Sequence, residues 1–207
     1  SRSMLAEDLY PSRLEQAKMS VKDLLGVLKG DRVGLIAFAG TTAVKCPLTR
    51  DYPFVSMAVD QLDPDLIGQG GTLIGDAIRK ASEQVFTDSE DRYRDIILIT
   101  DGEDHESYPL EAAQKAAEKN IRLFVIGIGD KQEGSRIPLT DKNGDRQYLK
   151  YEGSEVWTKL QDDSLKEIAT ATPGGAYWAY TPGTMLELDK IYNSIIAGAD
   201  QREISTT

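Results

Sequence analysis

Three stretches of the chain are apolar at nearly every position: Val33 to Gly40, Asp95 to Thr100, and Arg122 to Gly129. A strand with one face in water alternates apolar and polar residues, so continuous apolarity predicts strands covered on both faces, as in a parallel sheet. Between them the apolar period lengthens to that of a helix. Ser12 and Glu15 make a capping box, and Leu14, Ala17, Val21, Leu24, Leu25 and Leu28 follow at helical spacing until Gly30. Further helices are predicted over Pro53–Leu62, Leu73–Phe86 and Pro109–Lys119, the last with Pro in its first turn. Two more follow, one capped by Asp162 or Asp163 and reaching Thr172, one over Thr184–Ala197. Thr41–Val44 reads as a short edge strand and Ala176–Ala179 as a last strand. Apolar strands alternating with amphipathic helices predict an α/β fold: a doubly wound, mainly parallel sheet flanked by helices. In such sheets ligands bind at the carboxyl ends of the strands.

One segment breaks this rhythm. Residues 130–161 carry a turn signal at Asp141–Gly144, then Gln147–Tyr151, a second turn at Gly153, and Val156–Leu160. They predict a small inserted β-hairpin or meander at the rim of the sheet, near no catalytic group. The whole chain, 1–207, reads as one domain, with a frayed polar tail over 200–207.

Charge narrows the partners. Thirty-four Asp and Glu against 24 Lys and Arg leave a net charge of −10, which argues against nucleic acid or anionic lipid and is compatible with cations and basic protein surfaces. The single Cys46 excludes an intrachain disulfide, and the single His105 excludes a histidine-rich metal cluster. No apolar run reaches the roughly 18 residues that span a bilayer. The chain opens at Ser1 without Met or a signal peptide, and reads as an excised piece of a longer protein.

Three segments share one chemical character. Ser1 and Ser3 stand in S-R-S-M, Thr72 in a Gly-rich loop opening a helix (GQGGTLIGDAI), and Asp101 at the end of a buried strand (ILITDGED). Hydroxyl and carboxylate oxygens are the donors a hard cation such as Mg²⁺ takes, with water in the remaining positions. Taken separately, Ser1 and Ser3 read as helix-entry or terminal polar residues, and Gly70–Gly71–Thr72 as a helix N-cap.

Together, and in this order, they resemble the von Willebrand factor A domains, whose fold is Rossmann-like. There a D-x-S-x-S motif ends the first strand, a Thr comes from a second loop and an Asp from a third, forming a metal-ion-dependent adhesion site. The resemblance implies that Ser1, Ser3, Thr72 and Asp101 are metal ligands, and that Mg²⁺ (or Mn²⁺) is the ion. It also implies a first central strand, with an aspartate two positions before Ser1. This sequence contains neither, so binding by this chain is expected to be weak or absent. The strings RVGLIAFAG, CPLTRDY and TDGEDHE, and L-x-x-I-A-x-x-T-x-G-G-x-Y at Leu165–Tyr177, are similar to the bacterial aerotolerance (Bat-type) proteins.

That likeness implies a metal-dependent protein-interaction module rather than an enzyme, with a protein partner supplying an acidic ligand to the metal. It implies a parent protein anchored in the bacterial inner membrane by flanking segments, with the domain facing the periplasm. The alternatives are an integrin-like accessory domain of an ATP-driven metal chelatase and a metal-dependent hydrolase. The sequence offers no paired general base, nucleophile elbow or P-loop for the latter.

Around the site, Glu103 and Asp104 read equally as supporting or solvated acids, His105 and Glu106 as a solvated loop, and Asp76 as a surface acid. Trp157 and Trp178 read as packing residues. Cys46 has no acid–base partner nearby in sequence. Tyr148, Tyr151 and Trp157 form a candidate protein-contact patch.

Overall fold

Ser12 Oγ accepts the Glu15 backbone N–H at 3.2 Å, so α1 (Arg13–Val27) starts at the capping box. The computed structural model describes residues 1–64, 70–86, 93–141, 143–184 and 187–193. A 3-10 turn (Arg2–Leu5) precedes α1. Then come β1 (Val33–Phe38), β2 (Thr42–Thr49), α2 (Tyr52–Asp60), and α3 (Ile74–Lys80), which runs into a π turn (Ala81–Val85). They are followed by β3 (Arg94–Thr100), α4 (Pro109–Glu118) and β4 (Ile121–Ile128). After the inserted segment come α5 (Asp162–Thr170), β11 (Ala176–Tyr180) and a helical stretch at 188–193. Met185, Leu186, Ile195 and Ile196 of the expected closing helix, and the tail 200–207, lie outside the described residues.

The main sheet is parallel, in the order β11-β4-β3. β4 is its middle strand and all eight of its residues are buried, as continuous apolarity requires. Leu123 and Val125 pack with Ile74 and Ile78 of α3, the alanines of α4, and Leu165 and Ile168 of α5. Ile126 and Ile128 face the other way, onto Ala17 and Leu24 of α1 and Tyr180. Each such buried aliphatic side chain stabilises the fold by about 1.5–3 kcal/mol. At the start of the β3–β4 ladder Asp95 lies opposite Arg122, and their two 2.7 Å hydrogen bonds pin the register.

β1 departs from the expectation. The sequence places it in the parallel sheet as a buried strand, but it pairs antiparallel with β2 in a separate two-stranded sheet. Among the described residues β3 is likewise the edge of its own sheet. Both strands are half-buried for most of their length. A largely apolar slot of about 620 Å³ is lined by residues of both strands, of α1, and of α3 with its π turn. Behind the hairpin a small core of Leu25, Cys46, Val55 and Val59 closes the fold, and leaves Cys46 fully buried.

The segment 130–161 is not one hairpin but three short ladders. They are β5 (Ser135–Arg136) with β10 (Trp157–Thr158), β6 (Pro138–Thr140) with β7 (Arg146–Tyr148), and β8 (Lys150–Tyr151) with β9 (Ser154–Glu155). Strands of two or three residues are too short to show an alternation in sequence. Asp141 closes the expected turn, accepting the N–H groups of Asn143 and Asp145 at 2.8 and 2.9 Å. Trp157 is 57% exposed, so it is not the packing residue its type suggests, whereas Trp178 is half-buried against Phe124.

Candidate metal centre

The 3-10 turn brings Ser1 and Ser3 together, with their Oγ atoms 2.8 Å apart and Ser3 buried. The Ser1 backbone nitrogen donates to the carbonyl of Phe38, at the end of β1 (3.3 Å).

Thr72 lies buried just ahead of α3. Its N–H donates to His105 Nδ1 at 3.1 Å, and its carbonyl accepts the His105 N–H at 2.8 Å. His105 is exposed, as expected, but its ring also clamps the Thr72 loop, with Nδ1 as an acceptor. Asp104 also has a defined task. Its Oδ1 accepts the Ile74 N–H at 2.9 Å and its Oδ2 accepts the Ser107 N–H at 3.0 Å. The N-cap residue of α3, Leu73, offers no side-chain acceptor, so Asp104 satisfies an N–H at the helix start from the far side of the chain. Glu106 stays exposed, and Asp76 only pairs with Arg79 on the surface (2.5 Å).

Asp101 ends β3 with no exposed surface. The next residue, Gly102, has φ +86°, and a Cβ there would come 2.3 Å from the Gln161 carbonyl, so only glycine allows this exit from the strand. Ser1, Thr72 and Thr100 line one slot, and Asp101 is the residue after Thr100. Among the described residues, Asp101 Oδ1 and Thr72 Oγ1 are both buried and have no hydrogen-bond partner. Leaving such an atom unsatisfied costs about 1–3 kcal/mol, and a buried oxygen that nothing in the protein satisfies points to a ligand. Among the described residues no three His, Cys, Asp or Glu side chains group to hold an ion. A cation here would rest on one carboxylate, hydroxyls and water, a donor set that suits Mg²⁺ or Mn²⁺ better than Ca²⁺.

The sequence reading missed Arg13. It is fully buried, and its guanidinium has an acceptor for every donor. Nε and Nη2 donate to Asp8 at 2.9 and 2.8 Å, while Nη1 donates to Asp101 Oδ2 at 3.2 Å and to Thr158 Oγ1 at 3.1 Å. Nη2 also donates to the Thr158 carbonyl at 3.3 Å. Burial opposes ionisation of Asp8, but the hydrogen bonds and charge of Arg13, with the Asp130 N–H, hold its carboxyl below the ordinary range. The signal was helical phase: Arg13, Ala17, Ser20 and Leu24 share the buried face of α1.

Thr158 ties the insertion to this cluster. It belongs to β10, and its Oγ1 donates to Glu103 Oε1 at 3.0 Å while accepting from Arg13. Burial, then the charge of Asp101, raise the Glu103 carboxyl above its ordinary range. The inserted segment therefore ends against the cluster of Arg13, Asp101 and Glu103.

The model of the von Willebrand factor type A domain matches residues 1–103. The crystal structure of the conserved hypothetical protein BatB from Bacteroides thetaiotaomicron is 38% identical, with 97% of this chain and 95% of that one covered and a TM-score of 0.86. The chain belongs to the Bat-type von Willebrand factor type A family. A second Bat-type relative, an aerotolerance-related membrane protein from Bacteroides fragilis, is 36% identical over 87% of each chain, with a TM-score of 0.80. Among the described residues of this Bat-type domain, no helix is long and apolar enough to cross a membrane. The chain spans 59% of the length of its curated relative from Nocardia farcinica, at 27% identity over 94% of its own. Proximal thread matrix protein 1 from the mussel byssus, with a zinc-occupied MIDAS motif, shares the fold alone at 17% identity over 94% of this chain and 43% of that one (TM-score 0.64).

Proposed function

We propose that this domain is a metal-dependent protein-interaction module, not an enzyme, in which Ser1, Ser3, Thr72 and Asp101 hold Mg²⁺ or Mn²⁺. The observation that carries the reading is the pair of buried, unpartnered oxygens, Asp101 Oδ1 and Thr72 Oγ1. The ion would act as a Lewis acid with an open position that an acidic side chain of a protein partner fills. The chain's own residues prepare that site. Ser1 and Ser3 hold their hydroxyls against each other, His105 fixes the loop that carries Thr72, and Arg13 occupies the second oxygen of Asp101. The zinc in the MIDAS motif of the mussel protein supports a cation at this place in the fold. The membrane protein of Bacteroides fragilis supports a membrane-anchored parent, and we place the domain on the periplasmic side of the inner membrane.

Calorimetric titration with Mg²⁺ and Mn²⁺, on this chain and on the full-length protein, tests the reading. We expect measurable binding by the full-length protein. In that protein Asp101→Ala should weaken binding about 10- to 100-fold, the value of one charge-assisted contact of roughly 1.5–3 kcal/mol. Equal affinity with and without the Asp101 carboxylate would sink the assignment.

A further inference from the structure

We propose that Arg13 and Thr158 are positioning residues for the metal centre: they fix the Asp101 carboxylate by one oxygen and tie its orientation to the inserted segment. This rests on the metal reading above. A carboxylate is free to rotate unless something holds it, and a ligand that must be frozen at the moment of binding costs affinity. Here Arg13 Nη1 holds Asp101 Oδ2 at 3.2 Å, which leaves Oδ1 as the oxygen without a partner. Arg13 cannot drift, because Asp8 grips the other edge of its guanidinium and Gly129 stands against it, where a Cβ would lie 2.6 Å from Cζ. Thr158, itself fully buried, supplies both its hydroxyl and its carbonyl to the same guanidinium.

The links to the insertion are main-chain as well. The Gln161 N–H donates to the Asp101 carbonyl at 2.9 Å, and the Leu160 N–H to the Asp130 carbonyl at 2.8 Å. The Asp130 N–H in turn donates to Asp8 Oδ2 at 2.6 Å. Both ends of the insertion thus close on this cluster: Asp130 on the Asp8 carboxylate, Thr158 on the Arg13 guanidinium and Glu103, and Gln161 on the Asp101 main chain. Charge points the same way. One guanidinium serves Asp8 and Asp101 directly and Glu103 through Thr158, so three carboxylates face one fixed positive group. A divalent cation supplies the charge this cluster lacks.

The experiment uses the full-length protein, with Mn²⁺ as probe and its affinity read by electron paramagnetic resonance. The metal-free unfolding midpoint is measured on the same samples. Thr158→Val removes the hydroxyl at nearly constant volume and should weaken Mn²⁺ binding about tenfold, the low end for a group that orients a ligand. Thr158→Ser, which keeps the hydroxyl, should restore affinity to within about twofold. Arg13→Lys keeps the charge but cannot span Asp8, Asp101 and Thr158 together, and should lose tenfold or more. The metal-free midpoint of Thr158→Val should lie below that of Thr158→Ser, because Arg13 and Glu103 lose a buried partner, so affinity is read well below both midpoints, where each variant is folded. If Thr158→Val binds Mn²⁺ as the wild type does, or if Val and Ser weaken it equally, the proposal is overturned while the metal reading stands. If the wild-type protein binds no Mn²⁺, the metal reading falls and this one with it.

Discussion

Replacing Arg13 by Met isolates the buried ion cluster from the question of metal. Methionine fills a similar volume but leaves Asp8 and Asp101 without their cation, and those side chains are only 6% and 1% exposed. Removing one partner of a buried ion pair costs about 3–5 kcal/mol, because the remaining charge stays desolvated. With a urea slope of roughly 2–3 kcal/mol per molar, the unfolding midpoint should fall by about 1–2 M at neutral pH without metal. The pH dependence gives a second, independent reading. The folded Asp8 carboxyl lies below its ordinary value, so its stabilising contribution is present above that value, about pH 4, and is lost as pH falls through the folded one. In Arg13→Met the lowering influence of the guanidinium is gone and burial remains, which pushes the Asp8 carboxyl up. The variant's deficit should therefore be largest near pH 7 and shrink as the solution is acidified toward pH 4. A midpoint shift below about 0.3 M, or a deficit that grows with acid, would refute the claim that Arg13 compensates buried carboxylates.

Two further substitutions test the scaffold around the site. Gly129→Ala places a Cβ at φ +130°, 2.6 Å from the Arg13 guanidinium, and should destabilise by about 2–4 kcal/mol in urea unfolding, from backbone strain and crowding together. His105→Ala removes the Nδ1 acceptor of the Thr72 N–H from an exposed position, and should lower Mn²⁺ affinity several-fold in calorimetry while costing only about 1 kcal/mol of metal-free stability.

What was legible in the sequence follows from length scale. β4 announced itself because eight consecutive residues are buried on both faces, and α1 because its cap and apolar stripe act within single helical turns. Asp101 and Thr72 were legible through their local strings, which mark the end of a strand and the start of a helix. Arg13 was not, since a charge at a helix start ordinarily faces water; of its partners only Asp8 is close in sequence, and Asp101 and Thr158 are 88 and 145 residues away. His105 was read as solvated, correctly for its exposure, but a lone imidazole gives no sign that its inner nitrogen meets a backbone N–H 33 residues earlier. The pairing of β1 was misread for a different reason. Apolarity reports what covers a strand's faces and says nothing of which strand lies at its edge.

The strands of the domain are held unequally. β4 has a hydrogen-bonded neighbour on each side and a core on each face, so its amides are released only when most of the domain opens. The proposed ligands hang on other strands: Ser1 is fastened to the end of β1, and Asp101 follows the end of β3. An ion shared between them would act as a rivet joining two strand ends, so that capturing a partner at its open position would also slow amide exchange at both.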